Sequence, residues 1–249
     1  MLNTITYGSS TDRPDLLIAH GLFGSGRNWG VISKRLSDKR KITAVDMRNH
    51  GLSPWYNSHK YEELAEDLAE VIGDARVDVL GHSMGGKAAM VLALNHPEKI
   101  NKLIVADIAP VAYQGIDLAP IKAMRGVDLS RVERRSDALG QMQGVAEELK
   151  SFLLQSLDIG QKTWRLNLDV LEGQMGLIRG FPDMSGKQFS GEVLFLTGAT
   201  SDYMLPDYRE ATKTLFPKAR FAKIPGAGHW LHAEKPREFE AAVRAFLNR

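Results

Sequence analysis

The stretch Gly81-His82-Ser83-Met84-Gly85 lies between an apolar run, Val77 to Leu80, and a helical run, Lys87 to Leu94. No other stretch limits the fold so tightly. Strand, sharp turn and helix must follow one another within about a dozen residues. A serine at such a turn takes a strained backbone, and its hydroxyl points away from the sheet. Small residues two before and two after it let neighbouring backbone pass closely. The helix starting there aims unpaired N–H groups and its positive dipole end at the serine. Gly81 to Lys87 also fits most of a phosphate-binding loop, G-x-x-x-x-G-K. Ala88 stands where a Ser or Thr hydroxyl is needed for Mg²⁺, so the strained turn is the better reading.

The runs on either side repeat the rhythm. Strands are expected at Leu2–Tyr7, Asp15–Gly21, Lys41–Asp46 and Lys102–Asp107, and later at Glu192–Gly198 and Ala219–Ile224. Helices are expected at Asn28–Ser37, Tyr61–Ile72, Asp207–Phe216 and Pro236–Leu247. Alternation of this kind predicts an α/β fold, a mostly parallel central sheet with helices on both faces. The rhythm stops between Pro110 and Lys187, where three helices are expected: Ser130–Gln143, Gly144–Leu157 and Trp164–Gly180. Residues 110–187 therefore read as an inserted helical lid on a core formed by 1–109 and 188–249. The insertion follows a strand's C-terminal end, where ligands bind in such sheets.

The chain has 249 residues, enough for one large domain with an insertion. Its 32 basic and 30 acidic residues leave a net charge of +2. That balance argues against nucleic acid or an anionic membrane as the main partner. The absence of cysteine excludes disulfides, thiolate metal sites and a cysteine nucleophile. No apolar run reaches ~18 residues, so no membrane span is expected. Met1 to Asp12 lacks a signal pattern, and a cytoplasmic location is the expectation.

Serine chemistry needs a base, and the base needs a carboxylate to fix its tautomer. His229, on the glycine-rich loop after the last strand, is the candidate base. His20, His50 and His82 read as loop-shaping residues, and His59 and His96 as surface residues. The H-x-x-H pair of His229 and His232, with Glu234, forms at most a weak metal motif, so no metal site is expected. Asp107 and Asp202 both follow strands whose ends face one edge of the sheet. Spacing alone does not separate them. Asp46 precedes Ser83 and reads as a turn-former.

The segments His20–Ser25, Asp46–Ser53, Gly81–Gly86 and Gly226–Trp230 resemble the α/β-hydrolase superfamily. More closely, Asp107–Pro110, Trp164–Leu168 and His229–Pro236 are similar to the YbfF-type esterases. The resemblance spans nearly the full length. It implies Asp107 as the acid and a serine, Ser201, at the seat an acid occupies in other members. This sequence departs by carrying Asp202 beside Ser201. The resemblance favours Asp107 over Asp202 and makes Ser201 a supporting hydrogen-bonder.

The expectation is a serine esterase working through an acyl-enzyme without metal or organic cofactor. Ser83 is the nucleophile, His229 the base and Asp107 the orienting acid. The N–H groups of Leu22 and Met84 would bind the oxyanion, each worth ~3 kcal/mol of barrier. Small esters or thioesters with short to medium acyl chains are the expected substrates. Carbon–carbon hydrolysis, lyase chemistry and a non-catalytic receptor are alternatives on the same residues. Oligomeric state is not legible.

Overall fold

The computed structural model describes residues 1–248. Seven strands make one sheet: β1 (Thr4–Tyr7), β2 (Leu16–Ala19), β3 (Ile42–Val45), β4 (Val77–His82), β5 (Ile100–Ala106), β8 (Glu192–Gly198) and β9 (Ala219–Ile224), in the order β1-β3-β2-β4-β5-β8-β9. Only β1 runs antiparallel to its neighbour. The other pairings are parallel, which brings the carboxyl ends of β2 to β9 to one edge. The two remaining strands, β6 (Leu157–Asp158) and β7 (Thr163–Trp164), form a separate hairpin.

The central strands are short, continuous apolar runs because both faces are buried. Their residues alternate between two cores. Leu17, Ala19, Val79, Leu103 and Val105 face one, packed under α2 (Tyr61–Ile72) and α3 (Met84–Asn95). Leu16, Ile18, Leu80, Ile104 and Ala106 face the other, covered by Trp29, α1 (Gly30–Leu36) and α11 (Pro236–Leu247). In α2, Leu64, Ala65, Leu68, Ala69 and Ile72 are buried at the three- and four-residue spacing of one helix face. The short helices α9 (Arg209–Leu215) and α10 (Leu231–Glu234) flank β9. Among the described residues, no helix is long and apolar enough to cross a membrane.

The insertion between β5 and β8 is more broken than its sequence suggests. It holds five short helices: α4 (Ala119–Arg125), α5 (Arg135–Leu139), α6 (Glu147–Leu153), α7 (Leu168–Gly173) and α8 (Met175–Arg179). Gly144, at φ 76°, separates α5 from α6. The last stretch expected as one helix from Trp164 to Gly180 begins instead as strand β7, and Gln174 divides the remainder. The hairpin is seated on the core by main-chain bonds. Gly51 N–H donates to Arg165 O at 2.8 Å, and Asn167 N–H to Asn49 O at 3.0 Å.

His59 departs from expectation. It is buried, at 1% exposure. Its N–H donates to Gln174 Oε1 at 2.7 Å, and its Nε2 lies 3.2 Å from Met84 Sδ. Burial pushes its pKa down to about 3, so the ring is neutral. A histidine on a polar loop reads as exposed because the groups around its ring, Asn49, His50 and Met84, gather only in the folded chain.

At the opposite end of the sheet, Arg40 pairs with Asp78, both almost fully buried. Arg40 also donates to Pro14 O at 3.2 Å, and Asn101 donates to Asp78 Oδ1 at 2.7 Å. Removing one partner leaves an uncompensated buried charge. We expect Arg40→Met to destabilise the protein by about 3–5 kcal/mol in denaturant unfolding, with unchanged β-sheet content in the folded fraction.

Candidate active site

Ser83 sits between the last residue of β4 and the first of α3, at φ 52° and ψ −121°. This left-handed conformation costs a non-glycine residue on the order of 1–3 kcal/mol. The surroundings enforce it. A Cβ at Gly81 would lie 2.3 Å from Gly85 O, and one at Gly85 would lie 2.4 Å from His20 O. The two glycines therefore let the start of α3 press against the ends of β2 and β4. Ser83 N–H donates to Ala106 O at 3.0 Å, fixing the turn to the end of β5.

Three side chains from three strand ends meet in one hydrogen-bonded chain. Ser83 Oγ lies 3.1 Å from His229 Nε2, and His229 Nδ1 lies 2.7 Å from Asp107 Oδ2. Asp107 is fully buried and, like Ser83, left-handed, at φ 54°. Its carboxylate is otherwise satisfied by Gly198 N–H, at 3.0 Å to Oδ1, and by the Ser201 hydroxyl, at 2.5 Å to Oδ2. Asp202 is exposed and stands outside this chain. Asp46 is engaged elsewhere, accepting from Gly26 and Leu52 N–H groups at 2.8 Å each, as a turn-former does.

The His229 loop is braced on both sides. His82 Nε2–H donates to the His229 carbonyl at 2.8 Å. Burial holds His82 well below its ordinary pKa, so it stays neutral. Tyr203 stacks on the His229 ring with centroids 4.1 Å apart. Glu234 accepts from Gly228 and Trp230 N–H groups at 2.7 and 3.1 Å, closing the loop. His232 stacks on Trp29 at 4.2 Å and lies near no acidic ligand set; no metal-binding cluster exists among the described residues.

Met84 is the first residue of α3, so its N–H has no intrahelical acceptor. The Leu22 N–H makes no hydrogen bond among the described residues. The loop carrying Leu22 is tied down by two histidines. His20 Nε2 accepts from Met47 N–H at 2.9 Å while its Nδ1–H donates to Gly21 O at 2.8 Å. His50 Nε2 accepts from Phe23 N–H at 3.2 Å. Both rings are kept neutral by burial.

Ser83, His229, Leu22 and Met84 all line one cavity of about 320 Å³. The insertion supplies much of its wall, including Pro120, Phe152, Met175 and Ile178. The cavity is mainly apolar near these residues, with a polar region at Lys87, Tyr113 and Arg179.

A serine at a strained turn, a histidine and a buried carboxylate, hydrogen-bonded in series at one edge of a parallel sheet, coincide with a sequence match. The profile of the alpha/beta hydrolase family fits residues 16–242. The chain belongs to that family. Within it, the protein is a carboxylesterase-type hydrolase resembling the YbfF-type esterases. It is 39% identical to "Esterase YbfF" of Escherichia coli over 239 residues, covering 94% of this chain and 92% of that protein. It is 37% identical to the "sn-1-specific diacylglycerol lipase ABHD11" of Mus musculus over 251 residues, covering 94% of this chain and 81% of the relative. A solved "Marine microorganism esterase" superposes with a TM-score of 0.90 at 35% identity, covering 99% of this chain and all of the other.

Sequence reasoning about this hydrolase placed Lys87 only in a phosphate-loop pattern and missed Tyr203. Lys87 was legible in principle, as the one charged residue in an otherwise apolar helix. Tyr203 carried no signal, because its role depends on how its loop folds over His229. The glycine packing at the turn is directly testable. Gly81→Ala forces its Cβ against Gly85 O, so we expect a loss of about 1–3 kcal/mol, read as a lowered Tm by calorimetry.

Proposed function

We propose that this hydrolase cleaves carboxylic esters through an acyl-enzyme on Ser83. The observation that carries the reading is the continuous Ser83–His229–Asp107 hydrogen-bonded chain opening onto an apolar cavity. Ser83 Oγ attacks the ester carbonyl while His229 Nε2 takes the hydroxyl proton. Asp107 holds Nδ1 protonated and stabilises the imidazolium that forms. Ser201 and Gly198 fix the carboxylate so that one oxygen faces the histidine. The Leu22 and Met84 N–H groups receive the oxyanion; losing one such donor costs ~3 kcal/mol of barrier. His229 then returns its proton to the leaving alcohol or thiol. Water, deprotonated by the same histidine, attacks the acyl-enzyme and frees the acid. These groups fill every role, so the reaction needs no metal or organic cofactor.

A cavity of about 320 Å³ suits small substrates better than long acyl chains. Short to medium acyl esters, and thioesters of similar size, are the proposed class. Residues 110–187 act as a lid in this reading, since they wall the cavity over the core of 1–109 and 188–249. A cytoplasmic location accords with small soluble substrates. The names of the esterase and diacylglycerol lipase relatives support ester bonds as the target.

Hydrolysis of p-nitrophenyl esters from acetate to palmitate tests this. We expect an optimum at short to medium chains. Ser83→Ala should lose at least about 10⁴-fold in kcat, and Asp107→Asn about 10³- to 10⁴-fold. Asp202→Asn should change kcat less than about threefold. Collapse in Asp202→Asn with a spared Asp107→Asn would move the acid to the later loop. Unaltered turnover in Ser83→Ala would remove the serine mechanism.

A further inference from the structure

The polar region of the cavity is unusual in its charge. Lys87 follows Ser83 by four residues on α3, so their α-carbons are about 6 Å apart along the helix and on one face. Lys87 is buried, at 1% exposure. It donates to the carbonyls of Arg179, at 2.8 Å, and Gly180, at 2.5 Å. An ammonium has three donors, so one remains. The Tyr113 ring lies 4.7 Å from it and the Tyr61 ring 5.7 Å. Both phenols are pushed up by burial and stay neutral.

Arg179 lines the same cavity. One of its terminal nitrogens donates to Gln114 O at 2.6 Å. Its Nε is buried and has no acceptor among the described residues. Among the described residues, no carboxylate forms an ion pair with either charge. Asp117, the acidic residue of the wall, is exposed and accepts from Ala119 N–H at 2.9 Å. Two cations therefore face a largely apolar cavity without a protein counter-ion among the described residues. Desolvation and the neighbouring Arg179 charge lower the Lys87 pKa to about 7. A bound anion would supply the missing counter-ion and hold Lys87 in its charged form.

We propose that Lys87 and Arg179 form an anion subsite that receives the free carboxylate of a half-ester, making monoesters of short dicarboxylic acids the preferred substrates. The inference rests on the ester-hydrolase reading above. The one-turn offset from Ser83 sets the reach, with a few methylenes separating the carboxylate from the ester carbonyl. Ser83 Oγ bonds to that carbonyl, the ester C–O bond breaks, and His229 protonates the departing alcohol. Water then releases the dicarboxylate.

The test compares hydrolysis of monomethyl glutarate with that of methyl hexanoate, of similar acyl length, followed by pH-stat. We expect the wild type to favour the half-ester by about 10- to 100-fold in kcat/KM. Lys87→Met and Arg179→Met should each bring the ratio towards one. The wild-type ratio should also fall as pH rises through about 7, because Lys87 then loses its charge while Arg179 keeps it. The ratio cancels any titration of the shared catalytic groups. A wild-type ratio at or below one overturns the subsite while leaving the esterase reading intact. Turnover of neither ester counts against the esterase reading instead. The subsite is then decided by calorimetric binding of glutarate to Ser83→Ala. Saturable binding lost on adding Arg179→Met supports it, and no binding up to millimolar glutarate overturns it. The same binding measurement serves if Lys87→Met does not fold.

Discussion

Asp107 is a carboxylate with no access to water, and much of the sheet's carboxyl edge is arranged around that fact. A buried charge of this kind persists only when its oxygens are filled by donors. Here the donors come from three separated places: Gly198 at the end of β8, Ser201 just beyond it, and His229 after β9. The order β4-β5-β8-β9 is what makes the meeting possible. Parallel neighbours end at the same level, and Ser83 comes from the remaining one of the four. Shifting the register of one strand would separate donor from acceptor by more than a hydrogen bond can span.

The same edge concentrates backbone strain. Phe23, Asn49, Ser83 and Asp107 are left-handed non-glycine residues, and each follows a different one of the strands β2, β3, β4 and β5. Strain of this sort survives only where surrounding packing over-determines it. The two cores do so from either face. Rigid strands hold the turns, and the turns aim side chains and N–H groups at the cavity. Stability built in the cores is thus partly spent at the site.

The core was legible in the sequence because its strands are continuous apolar runs and its helices have one buried face. Ser83 was legible because only a tight turn requires Gly81 and Gly85 around a serine. Asp107 and Asp202 were not separable by spacing, since both lie at strand ends. What distinguishes them is local backbone: Asp107 turns inward at φ 54°, whereas Asp202 sits on an exposed loop. The insertion was read least well. Its helices are short, three of them ending at Leu139, Gly173 and Arg179, so the periodicity that would reveal them runs for barely two turns. The burial of His59 places its ring against Asn49, His50 and Met84, contacts that periodicity does not reveal.

The seat of the β6–β7 hairpin on the core includes amide-to-carbonyl bonds at Gly51 and Asn167. Such bonds are indifferent to side-chain identity. This part of the join tolerates side-chain change, whereas Asn167 Nδ2, donating to Asn49 Oδ1, and Gln174 Oε1, accepting from His59 N–H, depend on side-chain identity. Proline is the exception to that tolerance: at Gly51 or Asn167 it would delete a donor. The main-chain part of the insertion's attachment is in this way separable from the side chains that shape the cavity wall.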